Sequence, residues 1–201
     1  MLGYHALMAI DVVEEPMAAL PDHARIPIVF QVERVLDVTV KPHGGGFVLA
    51  ERPLVVPFRK DYDAIEGNAP ARWAEEFDLS NWGLIAARSD GERLGGAVIA
   101  FDTEGVTMLE GRRDLAVLWD IRVSLGHRRK GVGSALFRAA EAWARARRCS
   151  QLKIETQSIN VAACRFYASQ GCALRAARPL ACPEFPDEIQ LLWYRDLTPI
   201  G

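Results

Sequence analysis

Apolar positions in the middle of this chain come in short runs with strand periodicity, and towards its end they alternate between strand and helical spacing. Leu115-Ala-Val-Leu-Trp-Asp-Ile-Arg-Val123 is a nearly continuous apolar run and predicts a strand. Leu136, Ala139, Ala140 and Trp143 then recur at helical spacing, which predicts a helix from about Val132 to Arg147. A further strand is expected over 151–157, a helix over 161–170, and strands near 172–176 and 188–195. Asn160 is a natural N-cap for that helix and Gly171 a natural stop. Upstream, Trp82–Ala87 and Leu94–Phe101 flank Ser89-Asp-Gly-Glu92, the signal of a hairpin.

The first half is less regular. Ile28–Val40 carries enough β-branched residues for a first strand, and Pro42 with Gly44-Gly-Gly46 predicts a turn. Residues 1–26 are expected to be a loose lead-in, with Pro16, Pro21 and Pro27 breaking any helix, and 27–201 a single domain. Between Lys60 and Asn81 a polar helical or loop segment is expected.

The stretch Gly126-His-Arg-Arg-Lys-Gly-Val-Gly-Ser134 lies between the predicted strand and the predicted helix. Glycines let the backbone approach closely, the helix N-terminus adds partial positive charge, and Arg128, Arg129 and Lys130 supply full charges. Such a loop suits a diphosphate. Val132 after Gly131 excludes a P-loop, and Leu136 stands where a dinucleotide fingerprint needs glycine or alanine.

What remains, Arg128-x-x-Gly131-x-Gly133, resembles the acyl-CoA loop of the GNAT N-acetyltransferases. The run from Asn160 through Ala163 and Tyr167 to Gly171 is similar to the last helix of that superfamily. Phe58–Asp63, Glu155-Thr-Gln157, Asn160–Tyr167 and Glu188–Tyr194 together resemble the streptothricin acetyltransferases, over roughly Val32 to Leu197. The chain departs from them at Gly126, at Cys172 and over Leu174–Glu184, a segment expected near the acceptor pocket.

The resemblance implies a mixed α/β fold of the GNAT type, a mostly antiparallel twisted sheet flanked by helices. It implies acetyl-CoA as cosubstrate and direct acetyl transfer to a primary amine of a small cationic substrate, a streptothricin-like antibiotic first. A polyamine or protein N-acetyltransferase and a catalytically idle CoA-binding module stay as alternatives. Contacts to CoA are expected from Ile121, Val123, Arg128, Arg129, Lys130, Gly131, Val132, Gly133, Ser134, Asn160, Ala163 and Tyr167. Tyr167 is the candidate acid for the departing thiolate, with packing beside Phe166 as the bland alternative. Glu155 is the candidate base, through a water, or a cation-binding group without base function. Asp120 either pairs with Arg122 or holds the acceptor's ammonium, with Trp119 beside it. Trp193 and Tyr194 are expected to add aromatic faces to that pocket.

Composition narrows this further. The 201 residues are 50% hydrophobic and 25% charged, enough for one sizeable core. A formal charge of −2 argues against a nucleic-acid binder, and Arg145, Arg147 and Arg148 read as helix-end cations. No stretch approaches the ~20 apolar residues of a membrane span. Met1–Ile10 lacks a positive start and Asp11, Glu14 and Glu15 follow, so a cytoplasmic protein without a standard secretion signal is expected. Cys149, Cys164, Cys172 and Cys182 show no CxxC spacing, which predicts reduced, buried thiols and no metal. His5, His23, His43 and His127 have no triad context. The acceptor, the acyl length and the oligomeric state, monomer or homodimer, stay open.

Overall fold

Alternation and turn chemistry build the central hairpin. Strand β4 (Gly83–Ser89) and strand β5 (Glu92–Phe101) pair antiparallel around Asp90 and Gly91, both at positive φ, as a two-residue turn requires. The computed structural model describes residues 9–181 and 184–197. Strand β6 (Leu115–Val123) adds antiparallel to β5. Its pairing slips once: Val98 faces Asp120 and Ile99 faces Leu118, so Trp119 is an extra, bulged residue. Helix α3 (Val132–Ala146) and strand β7 (Gln151–Gln157) follow, then helix α4 (Val161–Ser169), strand β8 (Ala173–Arg178) and strand β9 (Gln190–Asp196).

Two N-terminal elements were not expected from the sequence. Strand β1 (Asp11–Glu15) pairs antiparallel with β4 at the sheet edge, and Leu20–Ala24 forms a short helix, α1. The prolines do not prevent either one. Pro16 falls just past the strand, and Pro21 occupies the first turn of α1, where no amide donor is needed. The seven-stranded sheet has the order β1-β4-β5-β6-β7-β9-β8, antiparallel except for β6 and β7.

Strand β2 (Phe30–Val40) and strand β3 (Phe47–Lys60) form a separate antiparallel hairpin. The length of β3 was also not expected, because Pro53 and Pro57 interrupt its pattern. Pro53 borders and Pro57 lies within a bulge opposite Glu33, one of the few places in a ladder that tolerates proline. Helix α2 (Pro70–Glu76) falls in the segment expected to be polar helix or loop.

Each face of the large sheet carries a core. Leu136, Phe137, Ala140 and Trp143 of α3 pack with Ile85, Ala97, Leu118 and Ile154 on one face. On the other, Leu20, Trp73, Trp82, Val98 and Val117 form a smaller cluster under α1 and α2. Cys149, Cys164 and Cys172 are buried free thiols, while Cys182 and His5 lie outside the described residues.

One topological feature positions the site. β6 and β7 pair in parallel only from Leu115–Gln151 to Leu118–Ile154. Beyond those residues Trp119–Val123 and Glu155–Gln157 are no longer each other's partners, and the sheet opens into a cleft.

Candidate active site

The cleft has a volume of about 830 Å³, within the range of small-molecule sites. One end is the start of α3. Gly131 is its N-cap at φ +88°, a left-handed conformation that side chains tolerate poorly, and the Ala135 amide donates to the Gly131 carbonyl at 3.0 Å. The first-turn amides of a helix have no intrahelical acceptor, so this end presents donors and partial positive charge. Arg128, Arg129, Gly131, Gly133 and Ser134 line the cleft here. Lys130 is exposed outside that lining. The Val132 side chain is 1% exposed and belongs to the core, so this residue has only main-chain atoms to offer. Arg128 is partly committed already: its Nε donates to the Val123 carbonyl at 3.2 Å and its Nη2 to the Val29 carbonyl at 3.4 Å.

The cleft wall comes from both arms of the opened sheet. Ile121 and Val123 line it from β6, and Asn160, Ala163 and Tyr167 from α4. Asn160 caps α4, its side-chain oxygen accepting from the Ala163 amide at 3.1 Å. Ala163 and Tyr167 are four residues apart and share a helix face. Tyr167 is 5% exposed, with its ring 6.0 Å from Phe137 and 5.2 Å from Phe166. Burial, and then the charge of Asp120, push its phenol well above the ordinary range, so the hydroxyl keeps its proton.

Asp120 and Arg122 are paired, the bland alternative for Asp120. The guanidinium donates to both Asp120 oxygens at 2.9–3.0 Å and reaches Asp63 at 2.7 and 2.8 Å. It also donates to the Ile26 carbonyl at 3.1 Å. A histidine with no triad context in the sequence joins them: His23 Nε2 lies 2.9 Å from Asp120 Oδ1, and His23 is fully buried. Its ring rests on Gly96, where a methyl group would collide with Nδ1. Burial alone would raise the Asp120 carboxyl, but the hydrogen bonds from His23 and Arg122 outweigh it and hold the group below its usual range. Burial likewise opposes the charge on Arg122, and Asp63 and Asp120 overcome it, raising that group.

The free carboxylates of the cleft are others. Glu155 projects from β7, exposed, and accepts from Gln157 Nε2 at 3.0 Å. Glu66 and Glu76 line the opposite end, from the segment around α2. Among the described residues, no salt bridge engages Glu66, Glu76 or Glu155. The aromatic faces are Trp73, Phe77 and Trp119, with ring centroids 5.5 Å apart for Phe77–Trp119 and 6.3 Å for Trp73–Trp119.

Trp193 and Tyr194 are elsewhere, correcting the expectation for them. Trp193 is core and donates to Thr156 at 2.8 Å, while the Tyr194 hydroxyl donates to Glu110. Ala173–Arg178 is the outer strand of the sheet, and none of the described residues of 174–184 lines the cleft. Glu66, Trp73, Glu76 and Phe77 were missed from sequence. The spacing of Trp73 and Phe77, one helical turn apart beside two glutamates, is the signal that could have found them.

The two ends of the cleft differ in chemistry. Amide donors and arginines at the α3 end fit a diphosphate, and the strand edge at Ile121 and Val123 fits an extended amide chain. Carboxylates and aromatic faces at the α2 end fit a cation. Among the described residues, no cluster of His, Cys, Asp or Glu could hold a metal ion, and no helix is long and apolar enough to cross a membrane.

In sequence and fold the chain is similar to known proteins. The acetyltransferase (GNAT) family model matches residues 53–172. A streptothricin acetyltransferase of Escherichia coli is 30% identical over 190 residues, 93% of this chain and 95% of its own. Streptothricin acetyltransferase A of Bacillus subtilis (strain 168) is 40% identical over 81 residues, so this chain spans 47% of that relative's length. A solved protein from Bacillus anthracis str. Ames, in complex with acetyl coenzyme A, superposes with TM-score 0.74. It is 22% identical over 94% of this chain and 99% of its own, a likeness of fold. On the strength of the family match and of a relative aligned along nearly its whole length, the chain belongs to the GNAT family of acetyltransferases.

Proposed function

We propose that this protein transfers the acetyl group of acetyl-CoA directly to a primary amine of a small cationic substrate, with a streptothricin-type antibiotic as first choice. The observation that carries this is the polarity of one cleft: amide donors and arginines at the α3 end; Glu66, Glu76 and Glu155, which no salt bridge engages among the described residues, away from it; and Tyr167 in the same lining. The E. coli and B. subtilis relatives support the choice of antibiotic.

Acetyl-CoA supplies an activated acetyl group, held as a thioester. The α3 amides with Arg128, Arg129 and Ser134 bind its diphosphate, and the edges of Ile121, Val123 and Asn160 align its arm along the cleft. An alkyl ammonium has a pKa of about 10.4, so its proton has to leave before the nitrogen can attack. Glu155 takes that proton through a water. The new N–C bond forms as the C–S bond breaks, and the Tyr167 hydroxyl gives its proton to the departing sulfur. The newly acylated nitrogen sheds its second proton to solvent, and Tyr167 recovers a proton from there. No covalent enzyme intermediate is needed.

The test is CoA release by the purified protein with acetyl-CoA and a panel of amines: a streptothricin, spermidine and a lysine-bearing peptide. Turnover with the streptothricin, and streptothricin resistance in a host expressing the chain, are expected. Robust turnover with another amine alone discards the antibiotic and keeps the chemistry. Silence across the panel, with acetyl-CoA bound, leaves an idle CoA-binding module.

A further inference from the structure

A short hydrogen-bond chain in the cleft ends on Glu155, and its other two members, Gln157 and Tyr62, have no part in the proton path described above. Gln157 Nε2 donates to Glu155 Oε1 at 3.0 Å, and the Tyr62 hydroxyl donates to Gln157 Oε1 at 2.7 Å. An ionised carboxylate only accepts, so Glu155 dictates which end of the Gln157 amide faces it. The carbonyl end then faces Tyr62, and the phenol has to donate. The chain runs one way, from Tyr62 through Gln157 to Glu155.

Tyr62 is built for that role. Burial, then the charges of Glu188 and Glu155, push its phenol well above the ordinary range, so it remains a donor. Its ring lies 5.8 Å from that of Phe30, and Lys60 Nζ sits 5.2 Å from its centroid. Lys60 is itself tied to Glu188, so the ring is fixed by the end of β3, the start of β2 and the segment before β9.

Glu155 by contrast is exposed and, among the described residues, has no cationic partner. A free glutamate side chain on a strand samples several rotamers, and confining it costs about 1.5–2 kcal/mol of entropy. We infer that Gln157, backed by Tyr62, is a positioning residue that holds the Glu155 carboxylate towards the point where the acceptor amine sheds its proton. This assignment rests on Glu155 being the base, as proposed above.

The test is steady-state kinetics of the full chain with acetyl-CoA and whichever of a streptothricin, spermidine or lysine amide turns over fastest. Gln157→Met keeps the side-chain length and Tyr62→Phe keeps the ring, so thermal unfolding should stay near wild type for both. Gln157→Met is expected to lower kcat about tenfold, and Tyr62→Phe less, with KM for acetyl-CoA unchanged. In a Glu155→Gln background neither is expected to lower kcat further, because the group they orient is gone. A merely structural contribution would lower kcat equally in both backgrounds, and that result overturns the inference. So does wild-type turnover in Gln157→Met while Glu155→Gln is impaired. Full turnover in Glu155→Gln itself overturns the base assignment, and this inference with it.

Discussion

Arg122 grips Asp63 at two points, 2.7 and 2.8 Å, while its other edge closes on Asp120. One buried cation therefore ties the centre of the large sheet to the segment that follows the β2–β3 hairpin. Its side chain is 1% exposed and that of Asp120 5%, so the pair with Asp120 is shielded from salt and solvent, while Asp63 stays 26% exposed.

Removing that cation should be costly. Arg122→Met leaves Asp120 buried without its main partner, and breaking a buried pair from one side typically costs about 3–5 kcal/mol. Urea unfolding of the two proteins measures the difference. A loss below about 1 kcal/mol would mean the pair is no more than a surface bridge.

Acid should undo the same cluster. Asp120 is depressed in the folded state, against an unfolded value of about 3.9, so its contribution is complete above roughly pH 5 and lost as pH falls through the folded value. Glu15, where burial is outweighed by hydrogen bonds from Arg88 and Arg93, adds a loss of the same sign. Melting temperature followed from pH 7 to pH 3 should fall less steeply in Asp120→Asn, which starts lower. Parallel curves would remove Asp120 from the acid response.

The loop prediction turns on two glycines with different constraints. Gly131 sits at φ +88°, whereas a Cβ on Gly133 would meet the Phe166 ring at 3.5 Å. Valine at 131 strains the turn, and valine at 133 crowds the approach beside Phe166. Each should weaken acetyl-CoA binding at least tenfold, about 1.4 kcal/mol, by titration calorimetry. Wild-type affinity in both would remove the loop from the CoA site.

Tyr167→Phe keeps the contacts with Phe137 and Phe166 and deletes only the proton donor. The expected outcome is a fall in kcat of about 10²-fold with the melting temperature preserved. If kcat holds while the chemical step limits the rate, Tyr167 is a core aromatic and no more.

Glu66→Gln and Glu76→Gln should raise KM for a cationic acceptor severalfold each and leave acetyl-CoA binding alone. Both carboxylates line the end of the cleft far from the α3 amides in chain and in chemistry. Preference for a neutral or anionic acceptor, or an unchanged KM in the double variant, would contradict the polarity argument.

Elements carrying their own local signals were legible in the sequence. β6 and β7 have the boundaries their apolar runs predicted, Asn160 caps α4, and Asp90–Gly91 turns the central hairpin. What stayed hidden depends on partners remote in the chain. His23 and Asp120 are 97 residues apart, and Tyr62 and Gln157 are 95 apart. No periodicity reports such a meeting. β1 and β3 were concealed by prolines that local context tolerates, one past a strand end and others at a bulge.

The bulge at Trp119 shifts the phase of the central strand. Before it, Ala116 and Leu118 face the core under α3; after it, Ile121 and Val123 do. Even-numbered positions give way to odd ones. Trp119 and Asp120 thus both turn to the α1–α2 side, and Arg122 follows Asp120 to its meeting with Asp63. Without that slip, an unbroken alternation would drive Asp120 and Arg122 beneath α3, among leucines and phenylalanine. Deleting residue 119 would remove the extra residue and leave Asp120 and Arg122 on the α1–α2 side, so it is straightening the bulge with its residue in place, and not losing that residue, that would swap the charged and oily sides of the strand at the point where the cleft begins.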